Sequence, residues 1–222
     1  MAAVYAALMT AVDMNKAQSP TVNRKGYFLF TLAAVVLGWV IAAVNTGISY
    51  LALGMDVIPI VTGLMGCFVF AIVLRFLHHA WWLAALSVLP AVFVLVGSVQ
   101  YAPDAALAGR GLRETVRVTA DSAAANGGSH HRFTLEGRLG ELDETLNYDG
   151  DHPDWKVGDR IEVVSDPKGV VPMEAASDVD SGGRLSMLVM GAAGWTCLAL
   201  LAGRRGFARR RAGRRPAFED ID

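Results

Sequence analysis

The sequence predicts a membrane α-helical protein of four transmembrane helices, with a small all-β domain (an antiparallel barrel or sandwich) between helices 3 and 4. Three observations predict it. Four long runs carry no charged side chain, counting His as neutral: Gly26–Met55, Val57–Leu74, Phe76–Pro103 and Leu185–Gly203. A bilayer core needs roughly 20 apolar residues per helical span. The polar stretch Ala102–Gly183 instead alternates apolar and polar residues with the period of two that marks a half-buried strand. Finally, charge is segregated: Ala102–Arg184 holds 16 Asp/Glu against 9 Lys/Arg, whereas Arg204–Asp222 holds 7 Arg and 3 acids. The net charge of −1 conceals this division, which places the two parts in different compartments.

Five segments follow in order. Residues 1–25 form a cytoplasmic N-terminal segment, and 26–101 hold the first three spans at about 27–46, 57–74 and 80–99. Residues 102–183 form the extracytoplasmic β domain, 184–203 the fourth span, and 204–222 a basic cytoplasmic tail. Met1–Val12 is apolar but short and lacks a basic start, so it reads as a surface helix rather than a cleavable signal; Met14 is an alternative start. Arginine outnumbers lysine 16 to 4, a bias of GC-rich coding that favours a bacterial source.

Within the spans, Ala34, Gly38 and Ala42 recur every four residues, the spacing that lets helix backbones approach closely; bundle packing is the expected use, dimerisation the alternative. Pro59 is tolerated in a first turn, and Pro90 predicts a kink in the third span. Trp81, Trp82 and Tyr101 mark that span's two ends, since Trp and Tyr favour the headgroup level. Cys67 and Cys197 lie inside spans and read as small apolar contacts rather than a disulfide. With the N-terminus inside, Lys16, Arg24, Lys25, Arg75 and the seven-arginine tail flank the inner face, while Gly47–Asp56 outside has no Lys or Arg. The opposite threading puts eleven basic residues outside. No Asp, Glu, Lys, Arg or His lies at membrane depth, which argues against an ion-coupled transporter.

In the polar domain, strands are expected at Thr115–Thr119, His131–Leu139, Glu144–Tyr148, Arg160–Val164 and Val170–Ala175. Pro172 confines the last to an edge. Asn126-Gly127-Gly128 and Asp149-Gly150-Asp151 break the pattern, and Asp166-Pro167-Lys168-Gly169 fits a type I turn. The segment Val157-Gly158-Asp159-Arg160-Ile161-Glu162-Val163-Val164-Ser165-Asp166-Pro167 resembles the strand motif of the bacterial family catalogued as domain of unknown function 3592. Those are multi-pass membrane proteins with a small β domain between spans. The resemblance covers Arg117–Ala176 and the flanking helices, with Ser165 where the family more often has an aromatic residue. It implies architecture and location, and no activity.

Asp149-Gly150-Asp151-His152-Pro153-Asp154 invites a metal reading, but Pro153 and Gly150 fall where a calcium loop wants ligands, so an acidic turn is expected. His130 and His131 are adjacent on a strand and point to opposite faces, so at most one joins such a site. His78-His79 reads as an interfacial anchor. No G-x-S-x-G, phosphate-binding glycine loop or soluble thiol is present, so no catalytic, cofactor-binding or metal residue is assigned and no enzyme is expected. The tail Arg204–Arg215 is expected to bind anionic lipid, at about 1 kcal/mol per basic residue, rather than nucleic acid. The expected role is a non-catalytic interaction or assembly module of the cell envelope, with a protein partner on the β domain. The alternatives are a metal-dependent sensor or enzyme using His130 or His131, His152, Asp149 and Asp151, and a small transport or channel subunit.

Overall fold

A computed structural model describes residues 24–78, 81–123, 128–149 and 155–212. It contains long helices α1 (Arg24–Leu51), α2 (Val57–His78), α4 (Val88–Arg110) and α5 (Ser181–Arg211), with a short α3 (Trp81–Leu86) leading into α4. Four stretches are long and apolar enough to cross a membrane: Lys25–Leu51, Val57–Leu77, Trp82–Arg110 and Ser181–Arg209. The helices are apolar all round. Phe28, Phe68 and Leu89 are each more than 60% exposed on the outer surface, at 68%, 67% and 64%. Their interior is built from Phe70, Leu74, Leu83, Val94 and Trp195 with small Ala34, Ala42, Ala199 and Ala202 between them. Phe70 stacks on Trp195 at 4.3 Å between ring centres, and Trp195 Nε1–H donates to the Ser87 carbonyl at 3.2 Å.

Close approach defines the seams. Gly97 packs on the α5 backbone, where an added Cβ would lie 2.6 Å from Leu188 N. Gly38 faces Phe70 and Trp195, and Ala34 and Ala42 are buried beside it, so this small-residue row serves packing within the bundle. The third span breaks at Ser87, three residues before the expected kink position Pro90, because proline has no N–H for the Leu86 carbonyl and its ring crowds the preceding turn. A second proline, Pro103, lies within α4 and leaves the Val99 carbonyl without its helical donor; Ser49 Oγ–H of α1 donates to it instead at 2.8 Å.

The helices outrun their apolar runs. The third was expected to end near residue 99 but continues to Arg110, so the first strand begins at Leu112. The fourth continues to Arg211, turning the basic tail into helix as far as that residue. Both cysteines are free: Cys67 is half-buried with its Sγ 3.9 Å from the Ala91 carbonyl oxygen, and Cys197 is exposed.

Six antiparallel strands follow α4 in the chain: β1 (Leu112–Asp121), β2 (His130–Gly137), β3 (Gly140–Glu141), β4 (Leu146–Asp149), β5 (Arg160–Ser165) and β6 (Glu174–Ala175). Their order is β3-β2-β1-β5-β6, with β4 also on β2. A register shift between Val118 and Ala120 bends β1. The sheet curls around Val116, Val118, Phe133, Leu135, Leu146, Ile161, Val163 and Met173, all buried. Its far edges meet where Met173 N–H donates to Glu144 Oε1 at 2.6 Å. Two expectations are corrected. Leu139 belongs to the β2–β3 turn and is fully exposed, because Gly140 at φ +119° reverses the chain there. The last strand shrinks to Glu174–Ala175, since Pro172 has no N–H to pair.

Candidate functional site

The strand domain meets the helix ends through paired charges. Arg110, the last residue of α4, donates from Nε to Asp166 Oδ1 at 2.9 Å and from Nη2 to Asp166 Oδ2 at 2.7 Å. Asp166 follows β5 in the expected turn, which closes with Gly169 N–H donating to the Asp166 carbonyl at 2.8 Å. Its carboxylate also accepts from the N–H groups of Lys168, Val170 and Val171. The Arg110 guanidinium, aided by those three N–H groups, holds the carboxyl well below the usual range against the opposing effect of burial. A second pair joins the helices: Arg184 Nε donates to Asp104 Oδ2 at 3.2 Å, and Asp180 N–H donates to the same oxygen. Between them Leu107, Val164 and Val171 are buried, with Leu53, Ala106 and Val179 packed on them. Gly54, at φ +82°, brings the α1–α2 loop against the Val170 carbonyl, where a Cβ would come within 2.6 Å.

Beside this joint is a polar cavity of about 420 Å³ lined by Asp56, Asp104, Asn147, Glu174, Asp178 and Arg184. Burial pushes the Glu174 carboxyl up, and the neighbouring Asp104 and Asp178 carboxylates add to it. The cavity offers carboxylates and one guanidinium.

The histidines separate as strand geometry requires. His130 is exposed and pairs in register with Asp149 across β4, while His131 is buried on the core side. His131 Nδ1 lies 2.8 Å from Asp121 Oδ2, its ring stacks on Phe133 at 5.8 Å, and its buried Nε2 has no hydrogen-bond partner. Burial raises the Asp121 carboxyl, but the Ala123 N–H and His131 outweigh that and hold it below its ordinary value. Asp151 and His152, like His79, lie outside the described residues, as does the side chain of Asp149. Among the described residues no group of three or more His, Cys, Asp or Glu is placed to hold a metal ion.

At the opposite end, α1 and α5 border an apolar groove of about 830 Å³ that runs from Thr196 and Leu200 to Arg204, Phe207 and Arg211. Arg205 turns away from it, its guanidinium 5.4 Å over the Trp82 ring. Trp82 thus sits at the start of the third apolar stretch, whereas Tyr101, which packs edge-on against Tyr50 at 6.1 Å, lies nine residues before its end at Arg110 rather than marking it.

Among the described residues a polar network between the helices has no counterpart in the sequence-based expectations. Asn45 of α1 donates from Nδ2 to Ser98 Oγ at 2.8 Å and accepts from Thr62 Oγ1 at 2.7 Å, joining three helices. Its signal was present, since it is the single amide side chain in Gly26–Met55. Compared with protein-family models, curated proteins and solved structures, the chain matches none.

Proposed function

We propose that this is a bacterial multi-pass membrane protein whose β domain is held against the extracytoplasmic surface as a non-catalytic interaction module of the cell envelope. The observation that carries the proposal is the joint. The strand domain is fixed to the helix ends by Arg110–Asp166 and a shared apolar cluster rather than hung on a flexible tether. A bidentate pair of this kind fixes geometry as well as distance, so the sheet is presented at one height and orientation. Its outward face carries Arg113, Arg117, Arg132 and Arg160 with Thr115, Glu136 and Glu162, a polar surface suited to a charged protein partner. The outer edge strands β3 and β6 have only two residues each, which guards against strand addition and favours recognition through that face.

The threading rests on the basic flanks: Arg75, Arg204, Arg205 and Arg209 cluster at one end of the bundle, and the strand domain sits at the other. The apolar outer surface of the helices supports lipid as its solvent. Membership of the family with domain of unknown function 3592 is part of the proposal, supported by Gly158 at φ +104° opening β5 and Asp166-Pro167 closing it.

Photocross-linking in native membranes tests it. A photoreactive residue replacing Arg132 should give one discrete adduct, absent when the same residue replaces Phe68 on the lipid-facing surface. The adduct should weaken when Arg110→Ala and Asp166→Ala release the joint. Absence of any adduct from Arg117, Arg132 and Arg160 alike would remove the proposal's basis.

A further inference from the structure

We infer that the groove between α1 and α5 is a binding site for one anionic phospholipid, with Arg204 and Arg211 holding its phosphate. The inference rests on the membrane reading above and requires only that these helices cross a bilayer. The α5 wall is one helical stripe, Thr196, Leu200, Arg204, Phe207 and Arg211, at spacings of three and four residues. The α1 wall is another, Tyr27, Thr31 and Val35. The floor is set by Gly203, where a Cβ would collide with the Thr31 side chain.

The groove is apolar at depth and charged at its mouth. Thr31 Oγ1–H donates to the Tyr27 carbonyl and Thr196 Oγ1–H to the Ala192 carbonyl, both at 2.9 Å, while Trp39 Nε1–H donates to Thr196 Oγ1 at 3.1 Å. With those hydroxyls turned onto protein acceptors, the deep part presents hydrocarbon. Leu200 and Thr196 lie about 6 and 12 Å beyond Arg204 along the helix, inside a half-bilayer of about 15 Å. An acyl chain fits that depth while its phosphate stays level with the guanidiniums. Among the described residues neither Arg204 nor Arg211 has an ion-pair partner, unlike Arg110 and Arg184. Charge and apolar length therefore match a lipid anion of the adjoining leaflet.

Native mass spectrometry of the full chain in mild detergent tests this, using phosphatidylglycerol and phosphatidylcholine with identical acyl chains. The first phosphatidylglycerol should bind more tightly than phosphatidylcholine. Arg204→Gln with Arg211→Gln should weaken phosphatidylglycerol roughly 10- to 30-fold and phosphatidylcholine less, because its choline already neutralises the phosphate those arginines hold. Arg205→Gln with Arg209→Gln removes the same charge away from the groove and should change neither by more than about twofold. Leu200→Trp, which fills the groove, should weaken both lipids. Equal loss in the two double variants, or no preference for phosphatidylglycerol in the parent, overturns the site while leaving the membrane reading intact. A chain that stays soluble and monodisperse without detergent overturns the membrane reading itself.

Discussion

Asp166 is the residue on which the joint depends, because five polar hydrogens converge on its two oxygens: two from Arg110 and one each from Lys168, Val170 and Val171. Since its folded pKa is depressed, its contribution is fully present above the unfolded value near 3.9 and is lost as pH falls through the folded value. Glu174 has the opposite sign: its raised pKa favours folding below about 4.3, and that preference fades as pH rises through its folded value. A thermal-shift series in detergent from about pH 3 to pH 7 should show the parent losing stability below about pH 4. Asp166→Asn should melt several degrees lower at pH 7 and show a shallower acid-side fall. Parallel curves for the two proteins would mean the carboxylate is not the anchor. The turn around Asp166 was legible from Asp-Pro-x-Gly spacing, since proline and glycine set the backbone locally. Its partner Arg110 was not, because the pairing spans 56 residues and periodicity says nothing about contacts at that range.

At the scale of helices, stability comes from small residues at crossings and from a few buried hydrogen bonds. Replacing Gly97 with Leu drives a side chain into the α5 backbone at Leu188 and Arg184, where neither neighbour can turn aside. That overpacking should cost about 3 kcal/mol and sharply reduce folded yield. Gly109, with open space around its Cβ position, should accept Ala with little change. Asn45→Ala and Ser49→Ala should each cost about 1 kcal/mol, the usual size for polar contacts between membrane helices. Urea- or detergent-induced unfolding of the reconstituted protein reads both. Equal losses at Gly97 and Gly109, or none at Asn45, would contradict this packing. Each long apolar helix was legible because an unbroken apolar run has few other solutions. The ends were not, because α4 keeps winding through Ala102–Arg110 once the strand domain packs on Leu107. Likewise, alternation located β2 and β5, yet placed Leu139 in a strand where Gly140 turns the chain out to solvent.

For the whole molecule, the division is between an end rich in arginine and an end covered by strands. α5 alone is about 46 Å long at 31 residues, more than the roughly 30 Å hydrocarbon core. Its surplus is shared between the joint, where Arg184 meets Asp104, and the arginines beyond Gly203. The same surplus in α4 carries Arg110 past the apolar run to reach Asp166. The charge segregation visible in the sequence thus matches the two ends of one bundle, whereas the fixed seating of the strands on it needed three dimensions to be seen. Labelling of single cysteines with a membrane-impermeant maleimide tests the central claim most directly, in a background with Cys67→Ala and Cys197→Ala. The account predicts that Leu139→Cys labels in intact cells and Ala212→Cys only after lysis. Labelling of both positions in intact cells, or release of the chain from membranes by alkaline carbonate, would contradict it.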